Sequence, residues 1–106
     1  MKLGIIIYSN DLETVWNAFG LGVYALKERD TVKVYILGKG MDCKLVNTDK
    51  FKVKDEICEF KELGGEILGC STCAEIHPNS CIEAAFLAPT MELHKVIKES
   101  DKVVTF

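Results

Sequence analysis

Residues 2–8 read KLGIIIY, an almost uninterrupted run of apolar and β-branched side chains. Such a run is typical of a strand that is covered on both faces, as in a parallel sheet. The polar residues 9–11 end it abruptly. Two further runs, TVKVYIL at 31–37 and EILG at 66–69, repeat the pattern. The sequence therefore predicts a set of buried, parallel strands.

A helix is predicted directly after the first strand, running to about residue 28. Asn10 is its predicted N-cap, because Glu13 follows three residues later at capping-box spacing. The helix has two apolar stripes, so we expect two neighbours: the sheet, and a helix of either the same chain or another subunit. The large stripe contains Leu12, Val15, Trp16, Phe19, Val23 and Leu26, and the small one Ala18, Gly22 and Ala25.

The remaining elements follow from the same patterns. Residues 54–63 predict a second helix, and residues 84–88 a short fourth strand. The last helix is predicted over 89–99, with Thr90 as its cap, and a terminal strand over 102–106. Leu93, Val96 and Ile97 are predicted to point inward from this helix.

Alternating strands and helices predict a three-layer α/β/α sandwich on a five-stranded parallel sheet, of flavodoxin-like type. In such sheets, ligands collect at the carboxyl ends of the strands. The segments expected at that edge are 9–10, 38–40, 69–70 and 89–90. Of these, only 69–70 carries a nucleophile, the thiol of Cys70.

Composition limits the function. The 106 residues, 48% of them hydrophobic, suffice for one domain over residues 1–106. A net charge of −3 argues against nucleic acid as a partner, and no apolar run is long enough for a membrane span. Five cysteines, an odd number, predict reduced thiols in the cytoplasm rather than a disulfide framework. They are Cys43, Cys58, Cys70, Cys73 and Cys81.

Cys70 is the predicted nucleophile. It follows the third strand, where the chain enters a helical turn that Pro78 ends. Its sulfur would face free backbone amides and the positive end of a helix dipole, which favour the thiolate. A thiolate attacks disulfides and sulfane sulfur. This interpretation requires an accessible sulfur; the alternative is a small residue that fills the sheet edge.

Four residues are candidates to assist Cys70. Cys73 would resolve an oxidised or persulfidated Cys70 by forming a disulfide, or would only pack. His77 would assist proton transfer, or would be polar surface. Lys39 would hold an ammonium near the thiol, or would be a solvated turn residue. Asn10 lies at the same predicted edge.

Two other functions compete with thiol chemistry. One is a zinc-binding or structural module, because the spacing C-x2-C-x3-H-x3-C suits a zinc ligand set. The other is a non-catalytic binder of a small ligand in the crevice between Ser9 and Lys39. The four metal-ligand candidates are Cys70, Cys73, His77 and Cys81.

Four segments together resemble the DsrE/DsrF-like sulfur-relay family. They are KLGIIIYSNDLETVWNAFGLGVYAL at 2–26, VYILGKGM at 34–41, GGEILGCSTC at 64–73 and ESDKVVTF at 99–106. The last two are the most specific, and residues 74–87 depart most from the family pattern.

The resemblance implies an α/β/α sandwich that assembles as a homotrimer or homohexamer. It also implies that the cysteine after the third strand, here Cys70, carries sulfur as a persulfide. The sulfur would pass from a donor protein to an acceptor protein without an organic cofactor. The expected function is thus that of a sulfur carrier with sulfurtransferase-like chemistry.

Overall fold

The computed structural model describes residues 1–42, 47–78, 82–83 and 86–106. These residues form a five-stranded sheet, four α-helices and a 3₁₀ helix over Gly38–Asp42. The strands are β1 (Lys2–Ile7), β2 (Thr31–Ile36), β3 (Glu66–Cys70), β4 (Leu87–Ala88) and β5 (Lys102–Thr105). The helices are α1 (Leu12–Lys27), α2 (Val53–Glu62), α3 (Ser71–Ile76) and α4 (Thr90–Glu99).

The sheet confirms the predicted fold class. Its strand order is β4-β3-β2-β1-β5, and each described pairing is parallel. The chain moves one strand at a time from β1 to β4 and then returns across the sheet to place β5 beside β1. Right-handed connections then require α1 and α2 on one face and α4 on the other, which gives the three layers.

The larger core lies between the sheet and the pair α1 and α2. Phe19 and Phe60 pack edge to face in it, with ring centroids 5.4 Å apart. Gly22 lies directly against the Phe60 ring, and a Cβ at Gly22 would come within 2.7 Å of that ring. The small-residue stripe of α1 therefore receives α2 of the same chain, with a Lys27 to Glu59 ion pair at 2.8 Å on its border.

Among the described helices, α4 is the one that covers the opposite face. Val96 is buried against the sheet where Gly4 lets the helix approach, since a Cβ at Gly4 would lie 3.1 Å from Val96 Cγ1. Leu93, one turn earlier, packs on the same side. The prediction for Ile97 was wrong, because this side chain is 47% exposed. It lies about 100° around the helix from Val96 and so points away from the sheet.

Two predicted caps are displaced by one residue. Asp11, not Asn10, caps α1: its carboxylate accepts hydrogen bonds from the Thr14 amide at 3.0 Å and the Thr14 hydroxyl at 2.9 Å. Helix α4 begins at Thr90, with the extended Pro89 as its N-cap. The predicted fourth strand is described only as Leu87–Ala88, since residues 84–85 lie outside the described part of the chain.

Among the helices of the described residues, none combines the length and the apolar character needed to cross a membrane.

Candidate functional site

Cys70 stands where a strand becomes a helix. It is the last residue of β3 and the N-cap of α3, with extended backbone angles of φ −67° and ψ 118°. Its sulfur accepts a hydrogen bond from the Cys73 amide at 3.3 Å. The thiol thus occupies the position that Ser, Thr or Asp usually takes at a helix start, where a side chain satisfies a free backbone amide.

Cys73 links α3 to the end of β2. Its sulfur accepts a hydrogen bond from the Gly38 amide at 3.3 Å, and Gly38 has a φ of +57°, which favours glycine. Gly40 lets the following 3₁₀ helix lie on β1, because a Cβ there would be 2.8 Å from the Ile7 carbonyl oxygen. The predicted GKG segment therefore contacts the Cys73 thiol through the Gly38 backbone amide.

Tyr35 is the third member of the site, and sequence reasoning missed it. The residue is fully buried on β2, and its hydroxyl donates a hydrogen bond to the Ala88 carbonyl on β4 at 3.0 Å. Its ring therefore reaches across β3, and Tyr35, Cys70 and Ala88 form one buried cluster. A tyrosine within an apolar strand is a detectable signal, because its buried hydroxyl needs a partner. We call Cys70, Cys73 and Tyr35 the thiol site.

The pKa values of the two thiols are shifted in opposite directions. Burial acts to raise the pKa of Cys70, but hydrogen bonds from Cys73, Tyr35 and the Thr72 amide outweigh it, so this pKa is lowered. Burial, and then the hydrogen bond to Cys70, raise the pKa of Cys73. The first proton lost from the pair therefore comes from Cys70, while Cys73 stays protonated and donates to it.

Tyr35 stays protonated, and therefore neutral, when Cys70 ionises. Burial raises the pKa of its hydroxyl well above the ordinary value, and the hydrogen bond with Cys70 raises it further. A phenol that does not ionise adds a hydrogen-bond donor beside the thiolate without adding a charge.

Cys70 is less accessible than the sequence interpretation required. The residue is only 6% exposed, whereas Cys73 is partly exposed. None of the six residues of α3, all of them described, is fully buried, although Cys73 and Ala74 are partly buried against the core. Local opening of α3 is the motion that would uncover the Cys70 sulfur.

The other predicted site residues are His77, Lys39 and Asn10. His77 pairs with Asp42, with 2.7 Å between Nδ1 and Oδ2, and so ties the end of α3 to the 3₁₀ helix. Lys39 and Asn10 are exposed at the same edge of the sheet. Assisting roles for these three residues stay predictions.

The zinc alternative gains no support from the described residues. They contain no group of three or more His, Cys, Asp or Glu side chains that would hold a metal ion. The proposed ligand Cys81 lies outside the described residues, as does Cys43. Cys58 is a free, exposed cysteine on α2.

Two cavities open elsewhere on the molecule. One, of about 210 Å³, lies at the amino ends of β1 and β2, where Lys2, Thr31 and Ser100 line it. The other, of about 410 Å³, runs between α1 and β5. Neither cavity is lined by the thiol site or lies in the crevice between Ser9 and Lys39.

A comparison with protein-family models gives no match to this chain, and neither does a comparison with curated proteins. The resemblance to the DsrE/DsrF-like family therefore rests on the four sequence segments alone. The chemistry of the site has to be argued from its geometry.

Proposed function

We propose that this chain is a sulfur carrier that holds sulfane sulfur as a persulfide on Cys70. The observation that carries the proposal is the position of Cys70 as the N-cap of α3, with backbone and side-chain donors directed at its sulfur. These donors lower the pKa of Cys70, so the nucleophilic thiolate forms more readily than in an ordinary cysteine.

The loading reaction needs only the thiol and a sulfur donor. The Cys70 thiolate attacks the terminal sulfur of a donor persulfide, R–S–SH. A new bond forms between Cys70 Sγ and that sulfur, the donor S–S bond breaks, and the donor thiol leaves. Transfer to an acceptor thiol repeats the same exchange, so no organic cofactor takes part.

The surroundings of Cys70 suit a carrier as well as a nucleophile. Cys70 is buried against Tyr35 and Ala88. This burial would keep most thiols in solution away from a persulfide on Cys70. Because opening of α3 uncovers the Cys70 sulfur, a partner protein that moves α3 would control the loading and release of sulfur. We propose a sulfur donor protein and a sulfur acceptor protein as the physiological partners, in the reducing cytoplasm.

We also propose that the chain assembles as a homotrimer or homohexamer, as the sequence resemblance implies. Leu21 and Tyr24 on α1 and Val103 on β5 line the 410 Å³ cavity and are exposed large apolar side chains. An exposed apolar patch of this kind supports a subunit interface on the α1 and β5 side.

The carrier proposal is tested by sulfur loading. The reduced chain is incubated with a low-molecular-weight persulfide, desalted without oxygen and weighed intact. We expect a gain of about 32 Da, the mass of one sulfur atom, that is lost in Cys70→Ser. Cys58→Ser, which removes an exposed thiol on α2, is the matched control and should load like the wild type. Equal loading of the Cys70→Ser chain would remove the proposal.

A further inference from the structure

The two cysteines are arranged for reaction with each other. Cys70 is the N-cap of α3 and Cys73 lies three residues into the turn, with its amide on the Cys70 sulfur at 3.3 Å. Side chains three residues apart on a helical turn have Cβ atoms about 5–6 Å apart, and a small movement closes them to the roughly 3.5–4.5 Å of a disulfide. No residue of α3 is fully buried, so this movement exposes no core side chain.

The Cys73 sulfur is also held in place from the other side. The Gly38 amide donates to it at 3.3 Å, and the Asp42 to His77 pair joins the same two segments at 2.7 Å. A hydrogen bond from the Cys73 thiol also contributes to the lowered pKa of Cys70. Among the described cysteines, Cys73 is the one that contacts Cys70.

From this arrangement we infer that sulfur bound to Cys70 leaves as hydrogen sulfide when the Cys73 sulfur attacks Cys70 Sγ. The chain is then a reductase of sulfane sulfur, with a dithiol reductant as its second substrate. This inference rests on the proposed persulfide on Cys70 and specifies how that sulfur is released.

The reaction balances within the site. In the persulfide anion Cys70–S–S⁻, a new bond forms between the Cys73 sulfur and Cys70 Sγ, and the bond from Sγ to the outer sulfur breaks. The outer sulfur takes the bonding electron pair and the Cys73 proton and leaves as HS⁻. It is reduced, while the two cysteine thiols are oxidised to a disulfide. An external dithiol then exchanges with this disulfide, which restores both thiols and oxidises the dithiol.

The acidities of the two thiols set the order of events. Cys70 loads first because its pKa is lowered, whereas the raised pKa of Cys73 keeps that thiol protonated and slow to attack. The persulfide therefore persists long enough to be transferred when an acceptor is present. Without an acceptor, the sulfur leaves as sulfide.

A single-turnover experiment tests the inference. The wild type, Cys73→Ser and the control Cys58→Ser are loaded with a low-molecular-weight persulfide, desalted without oxygen and followed by intact mass and by a sulfide electrode. In the wild type and the control, we expect the mass to fall by about 34 Da as H₂S leaves and a disulfide forms. Cys73→Ser should keep the added sulfur and release sulfide at least about tenfold more slowly.

The outcomes separate the inference from the carrier proposal. Loading of all three chains, with sulfide release and disulfide formation only where Cys73 is present, supports both. Loading of Cys73→Ser with release as fast as in the wild type overturns the inference and leaves the carrier intact. Failure of the wild type itself to load overturns both. Addition of dithiothreitol to the spent wild type should restore loading, and failure to do so also contradicts a turnover cycle.

Discussion

The hydroxyl of Tyr35 has one proton and two acceptors within its reach. It donates to the Ala88 carbonyl at 3.0 Å, and it contributes to the lowered pKa of Cys70. When Cys70 is a neutral thiol, the carbonyl is the better acceptor. When Cys70 ionises, the thiolate becomes the stronger one, because hydrogen bonds to charged groups are roughly twice as strong as neutral ones. We expect the proton of Tyr35 to follow the charge on Cys70.

Tyr35→Phe should therefore raise the pKa of Cys70. The variant keeps the ring and loses the donor to the thiolate, a bond of about 1.5–3 kcal/mol, so alkylation of Cys70 near pH 7 should slow about tenfold. At high pH, where Cys70 is ionised in the wild type and in the variant alike, the two alkylation rates should converge. Iodoacetamide labelling across pH, with the label located on Cys70 by mass spectrometry, measures this effect.

Tyr24→Phe is the matched control, because Tyr24 is 64% exposed on α1. Its labelling curve should coincide with that of the wild type. A Tyr35→Phe curve that also coincides would show that the phenol acts only in packing.

Glycine permits a close approach between two segments at the end of β1. Gly40 brings the 3₁₀ helix over Gly38–Asp42 onto the end of β1, and the Gly38 amide thereby reaches Cys73. Gly20, inside α1, has no such neighbour, since a Cβ there would meet nothing within 4 Å. Gly40 thus permits a close backbone contact, whereas Gly20 does not.

Substitution by alanine should have opposite effects at these two positions. Gly20→Ala should stabilise the protein by about 0.5–1 kcal/mol, because alanine favours a helix interior. Gly40→Ala should destabilise it by about 1–3 kcal/mol, since its Cβ would lie 2.8 Å from the backbone oxygen of Ile7. Urea unfolding of the two variants measures both changes.

Gly40→Ala has a second expected effect, on the thiol site. The hydrogen bond from the Gly38 amide lowers the pKa of Cys73. Displacement of the 3₁₀ helix weakens this bond, so the pKa of Cys73 should rise. The Cys73 labelling curve should therefore move to higher pH. A Gly40→Ala chain with unchanged stability and an unchanged Cys73 curve would contradict the described packing.

In the whole molecule, the thiol site and the apolar groove between α1 and β5 lie apart. The thiol site lies at the carboxyl end of β3, whereas the groove between α1 and β5 has Met1 and Asp30 in its lining. Asp30 binds the amino terminus at 2.8 Å and so marks the amino end of β1. An assembly through this groove would leave Cys70 free to meet a donor or an acceptor.

The proposed assembly predicts a solution mass of three or six times the 11.8 kDa of the chain. Light scattering after size exclusion measures it. Tyr24→Asp should reduce this mass, because it places a charge in the exposed apolar patch. Met91→Asp, at an exposed position on α4, is the control and should not change it. A wild-type mass of one chain would contradict the assembly.

Local patterns in the sequence were sufficient to predict much of the fold. The β-branched runs predicted β1, β2 and β3 to within one residue at each end, and helical spacing did the same for α2. The position of Cys70 at the end of β3 followed as well. These features depend on propensities and periodicity within a few residues, which an isolated sequence contains.

The rest depends on which segments meet. Tyr35 and Cys70 are 35 positions apart in the sequence and meet because β2 and β3 pair in one register. The Gly38 amide, just after β2, meets the Cys73 sulfur for the same reason. Cys70 is buried in a cluster with Tyr35 and Ala88, against which Leu93 of α4 packs, while Ile97 of the same helix is exposed. Local sequence patterns thus specify most of the elements and the candidate nucleophile. The burial of Cys70, the Tyr35 donor and the contact between Gly38 and Cys73 depend on the tertiary fold, because each of them joins distant segments.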